Sequence, residues 1–168
     1  MTTMTADRAR LVAAAAGVAG LMLGMAMHAG LEGAQPAQQS ASSRRVVRPE
    51  KGPNTGLPFS PGIRTGSTLY VSGHLGRDPI TSKLVTGGIE AETRQSLSNI
   101  REVLRAGGMD FRDVASVTAY IADFREFARF NTVYREVFPN DPPARATVQV
   151  AALNDGARVE LQMIAVRP

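Results

Sequence analysis

Pro142-Pro143-Ala144-Arg145-Ala146-Thr147-Val148-Gln149-Val150 and, past Asn154-Asp155-Gly156, Ala157-Arg158-Val159-Glu160-Leu161-Gln162-Met163-Ile164-Ala165-Val166 decide how this chain is read. Both stretches alternate with period two, which predicts two strands. In the first, Ala146, Val148 and Val150 share one face and Arg145, Thr147 and Gln149 the other; in the second, Val159, Leu161 and Met163 oppose Arg158, Glu160 and Gln162. Asn154-Asp155-Gly156 is turn punctuation and predicts a hairpin between them. Such a hairpin puts Arg145 and Glu160 on one polar face. It also sets Arg145 about four to six residues further from the turn, an offset of about 14 to 20 Å at about 3.4 Å per residue. If the two groups serve one site, two copies of the chain supply them, which leans towards a symmetric oligomer with interfacial pockets.

Upstream of this region, Ile89 to Ala106 reads as a helix, with Thr93, Leu97, Ile100 and Leu104 on one face and Gly107-Gly108 as its stop. Val114 to Ile121 alternates and reads as a strand. A second helix opens at Asp123, with Glu126 three residues on in a capping-box arrangement and an apolar face of Phe127, Phe130, Tyr134 and Val137 or Phe138. Pro142 and Pro143 stop it. Ile63 to Thr65 and Thr68 to Ser72 read as strands around Gly66-Ser67. This order predicts an α+β domain over residues 57–168, with two helices on one face of a mixed, mostly antiparallel sheet. The other face needs a cover, and self-association supplies one.

Charge narrows the function classes. Residues 44–56 carry Arg44, Arg45, Arg48 and Lys51 against Glu50, whereas residues 57–168 hold 13 basic and 12 acidic side chains. A nearly neutral domain gives no electrostatic reason to expect nucleic acid as a partner. The chain has no Cys and only His28 and His74, which excludes disulfides, thiolate nucleophiles and His-rich metal sites. Arg8 and Arg10 precede an uncharged run from Leu11 to Leu31, so residues 1–31 read as a signal peptide or an N-terminal membrane anchor, and the protein as exported, periplasmic or anchored facing the periplasm. Residues 32–56, rich in Gln, Ala, Ser, Pro and Arg, read as a disordered basic linker with a possible membrane contact.

Ser72-Gly73-His74, the run from Gly88 to Ile100, Phe130-Asn131-Thr132-Val133-Tyr134, Pro143-Ala144-Arg145 and Val159-Glu160-Leu161 together resemble the RidA family, also called YjgF, over about residues 57–168. The resemblance implies a chorismate-mutase-like subunit, a homotrimer with clefts between neighbours, and hydrolysis of reactive enamine or imino acids to 2-oxo acids and ammonia without a cofactor. It implies that Arg145 clamps the substrate carboxylate, that Glu160 positions or activates water, and that Ser72, Gly73 and Asn131 line the cleft. His74 stands where archetypal members have Gln, and Phe59 where many have Tyr; both fall at substrate-binding positions. Gln162 replaces a frequent second Glu, and Thr147 an occasional Cys.

The chemistry of the residues agrees with that role. A 2-imino acid presents a planar carboxylate, which suits the fork of an arginine. Its C=N carbon is already electrophilic, so one carboxylate that directs a water completes the need. Each residue also has a structural reading: an interface ion pair for Arg145, an exposed strand acid for Glu160, backbone hydrogen bonding for Asn131 and Ser72, and backbone geometry for Gly73. A non-catalytic trimer that binds small carboxylates is the alternative function, and RNA cleavage a third.

Overall fold

The structure is a computed structural model and describes residues 43–50 and 56–167. Its strands are β1 (Arg45–Val47), β2 (Gly62–Thr65), β3 (Thr68–Leu75), β4 (Val114–Ile121), β5 (Ala144–Gln149) and β6 (Val159–Val166). Its helices are α1 (Gly88–Ala106) and α2 (Phe127–Val137). The six strands form one sheet in the order β1-β2-β3-β6-β4-β5, antiparallel except where β5 runs parallel to β4. The expected mixed sheet with two helices is therefore present.

α1 forms where the sequence predicts it because its apolar residues return every three or four positions: Ile89, Leu97, Ile100, Val103 and Leu104 are buried. Gly87 and Gly88, at φ 117° and 77°, turn the chain into it. At the other end the Gly108 N–H donates to the Arg105 carbonyl, and Gly108 takes φ 75°, a left-handed ending that favours glycine. The polar side chains of α1 are spent on backbone. Ser96 Oγ donates to the His74 carbonyl (2.8 Å), Asn99 Nδ2 to the carbonyls of Leu75 (3.2 Å) and Arg77 (2.9 Å), and Glu92 accepts from the Arg158 N–H (2.8 Å). These bonds fasten the end of β3 and the start of β6, the two segments on which Gly73 and Glu160 sit.

The predicted hairpin does not form. β6 lies between β3 and β4, while β5 pairs with β4 on the far edge. The cause is the connection through α2: a helix crossing between two strands returns the chain parallel to its start, so β4, α2 and β5 make one crossover unit. Burial sorts the strands in the same sense. Val159, Leu161, Met163 and Ala165 of β6 are all buried and take the centre, whereas β5 contributes no fully buried residue and takes the edge. Asn154–Gly156 is a single 3-10 turn on the way between them, with Asp155 at φ 55°.

The shared polar face is corrected with it. Arg145 lies opposite Val117, whose antiparallel partner is Met163, so Arg145 is on the helix-covered face. Glu160 lies opposite Tyr120 and Leu75, on the open face with the exposed Gln162. The two candidate site side chains occupy opposite faces of one sheet. A second correction concerns the linker: Arg45–Val47 is a strand, paired with β2 through Val46↔Ile63, and Val47 is buried. Two valines in a basic run suffice for an edge strand. The remaining expectations for residues 1–42 and 51–55 lie outside the described residues.

α2 is preceded by a 3-10 turn at Phe124–Glu126. Asp123 caps it, accepting from the Arg125 N–H (2.9 Å), but Glu126 does not return the bond and reaches Arg158 instead (2.9 Å). The reciprocal capping box stands at Asp110 and Asp113.

Candidate active site

Arg145 is placed by β5 and by the face of α2 that covers it. Its Cζ lies 4.4 Å from the ring centroid of Tyr134, 5.2 Å from that of Phe130 and 5.8 Å from that of Phe127. Nη2 donates to Asn131 Oδ1 at 2.8 Å. These four α2 residues fall at i, i+3, i+4 and i+7, one face of a helix, which is why they can surround a single side chain. Among the described residues no carboxylate pairs with Arg145, which is half-buried. Burial raises the Tyr134 hydroxyl to about 12 against the pull of the nearby guanidinium, so the ring stays a neutral phenol and does not discharge the arginine.

Glu160 is placed by a defect in the ladder. Between Val71↔Met163 and His74↔Leu161 the register of β3 against β6 shifts, a bulge that carries Ser72 and Gly73. The Glu160 carboxylate lies on Gly73 so closely that a methyl group there would overlap Oε1. Only glycine leaves that space. Burial raises the Glu160 pKa above its ordinary value, and no charged partner among the described residues offsets it. A carboxylate with raised proton affinity and no cation beside it is suited to take a proton from water.

The other predicted residues divide between the site and its scaffold. Ser72 Oγ donates to the Ser60 carbonyl (2.6 Å) and its N–H to the Pro61 carbonyl (3.0 Å), pinning the segment that carries Phe59 beside the bulge. Phe59 itself is 53% exposed and free to line a surface. His74 is turned inward: it pairs in register with the core residue Leu161, and Nε2 is buried without a hydrogen-bond partner among the described residues. Burial lowers its pKa to about 4, against the effect of its hydrogen bond to the Pro61 backbone. Asn131 belongs with Arg145, and Gly73 with Glu160. Phe130 and Tyr134 entered the sequence reading only as core residues; their helical spacing was visible, but not the arginine that the parallel edge strand lays across them.

The domain has clear relatives. The family described as Endoribonuclease L-PSP matches residues 50–167. The chain is 43% identical over 128 residues to the 2-iminobutanoate/2-iminopropanoate deaminase of Capra hircus, covering 76% of this chain and 93% of that one. It resembles the crystal structure of YyfA, a member of the conserved Rid protein family from Yersinia pestis, with TM-score 0.71 and 34% identity over 74% of this chain and 100% of that one. It also resembles the crystal structure of Escherichia coli TdcF with bound serine, with TM-score 0.70 and 29% identity over 74% and 99%.

Proposed function

The chain belongs to the RidA family, and from that premise we propose that it is a deaminase that hydrolyses 2-imino and enamine acids to 2-oxo acids and ammonia. The observation that carries the proposal is Arg145: a guanidinium fixed in place, not neutralised by any carboxylate of the described residues, at the edge of the sheet. It accepts the substrate carboxylate through two parallel N–H bonds. The enamine tautomerises to the imine. Water then adds to the C=N carbon while Glu160 takes its proton and returns it to the nitrogen; the resulting carbinolamine expels ammonia as its hydroxyl proton passes through Glu160 to the leaving nitrogen and the C=O bond forms. Gly73 leaves room for the Glu160 carboxylate, and Phe59 and the Ser72 bulge flank it.

Opposite faces of one sheet cannot present both groups to one substrate, so the site is shared between copies, Arg145 from one and Glu160 from its neighbour. A homotrimer satisfies this and covers the open faces, where Tyr70, Val148 and Val166 are exposed. Ammonia release from freshly generated 2-iminopropanoate, with Arg145→Ala as control, tests the activity; sedimentation tests the trimer. A trimer that binds 2-oxo acids without releasing ammonia would contradict the proposal in favour of ligand binding. Export is part of the same reading, carried by the order of Arg8, Arg10 and the apolar run, and cell fractionation tests it.

A further inference from the structure

Most arginines on the helical side of this domain are neutralised. Arg94 lies on Glu136, Arg129 on Glu90, Arg158 on Glu126 and Arg167 on Asp113. Arg101 lies instead over one ring, Phe111, at 5.0 Å; Arg145 goes further, with three ring faces around its Cζ and a hydrogen bond to the neutral amide of Asn131. The distinction is chemical. A carboxylate partner would hold the guanidinium but cancel its charge, whereas a ring quadrupole attracts the cation and leaves its charge and its remaining N–H groups free. The rings are braced by one another. Phe130 packs on Tyr134 at 5.6 Å, Tyr134 on Phe138 at 4.8 Å, and Phe127 on Phe124 at 4.9 Å with planes only 14° apart. Phe130 and Tyr134 are buried, so the surface under the arginine cannot yield.

We infer that Phe130 and Tyr134 are positioning residues that hold the Arg145 guanidinium plane in a single pose with its charge intact, ready for a carboxylate. The inference rests on the deaminase reading and adds to it a division of labour. The aromatic cradle governs capture of the carboxylate, while the Glu160 side governs the water step. Tyr134 is the stronger lever because its ring is nearest.

The experiment compares Tyr134→Leu, which keeps an apolar filler and removes the π face, with Tyr134→Phe, which keeps the ring. Kinetics with 2-iminopropanoate, binding of pyruvate by NMR titration, and the Arg145 Nε–Hε resonance are read on each full-length protein. For Tyr134→Leu the expected result is a rise of about three- to tenfold in KM and in the Kd for pyruvate, with kcat within about twofold. Tyr134→Phe should behave as wild type, and in an Arg145→Ala background Tyr134→Leu should add nothing. The Arg145 Nε–Hε signal should carry a ring-current shift in wild type and Tyr134→Phe that shrinks in Tyr134→Leu. Unchanged KM and an unchanged Arg145 resonance in a folded Tyr134→Leu would overturn the inference. So would a loss of kcat and melting temperature that is the same with and without Arg145, since that describes a core residue. A wild-type protein that binds pyruvate without turnover would sink the deaminase reading while leaving the binding and resonance arms to decide this one; a wild type that does neither overturns both.

Discussion

The two halves of the site are built by opposite means. Around Arg145 the work is done by side chains: three rings and an amide from one helix face enclose a charge that they do not cancel. Around Glu160 it is done by backbone: a bulge, a glycine without a Cβ and a strand end fastened by Glu92 leave a half-buried carboxylate close against Gly73, with no charged partner among the described residues. In the proposed mechanism the first half preserves a cation for binding, and the second raises the proton affinity of an acid for chemistry. Each therefore fails in its own way, and perturbing them separately distinguishes binding from turnover.

Glu160→Gln removes the proton acceptor and nothing else from the backbone-built half. It should lower kcat by about a hundred- to ten-thousandfold with KM little changed, which steady-state ammonia release would report. Arg145→Ala acts on the other half and should lower kcat/KM by roughly a hundredfold, with pyruvate binding lost by NMR. A comparable loss of binding in Glu160→Gln would collapse the distinction.

Gly73→Ala tests whether the glycine is there for the carboxylate. The atom that a methyl group would strike is the end of a flexible side chain, so the fold should survive and Glu160 should move. A fall in kcat of about ten- to a hundredfold with a melting temperature near wild type is expected. Acid titration sharpens the same half: because burial raises the Glu160 pKa, kcat should fall with decreasing pH along a limb centred above the ordinary 4.5, and Glu160→Gln should lack that limb.

The smallest effect belongs to His74, whose imidazole is buried. Its folded-state pKa, about 4, lies below the ordinary value of 6.5, so the unfolded chain binds the extra proton and stability falls as pH drops through that window. Between about pH 7.5 and 5 the loss from this group is about 2 kcal/mol, and His74→Gln should remove it, seen as a shallower dependence of melting temperature on pH.

What the sequence disclosed follows from the range of its signals. α1 and β4 are written in local periodicity and flanked by glycines or a cap, and they stand where they were read. The pairing of β5 is not local. Asn154-Asp155-Gly156 looks the same whether it joins partners or merely turns the chain, and only the crossover through α2 decides. Period-two alternation likewise says that Arg145, Thr147 and Gln149 share a face but not which face the helices cover, so alternation alone groups Arg145 with Glu160 although they are back to back. Two copies are needed more strictly after that correction than before it: separation by an offset has become separation by a sheet. β1 went unread because three residues in a basic run carry too little pattern. The cradle under Arg145 was legible as an aromatic stripe and illegible as a binding surface, because its occupant comes from another strand.

The most direct test of the shared site is subunit complementation. Arg145→Ala and Glu160→Gln proteins, each impaired at least about a hundredfold alone, are co-expressed or refolded together and assayed for ammonia release. If every site takes Arg145 from one copy and Glu160 from the next, random mixing rebuilds about a quarter of the sites, and activity should return to about that fraction of wild type. If mixed oligomers form and stay inactive, both residues serve the site from one chain, and a sheet with its binding group on one face and its chemical group on the other does not describe how this protein works.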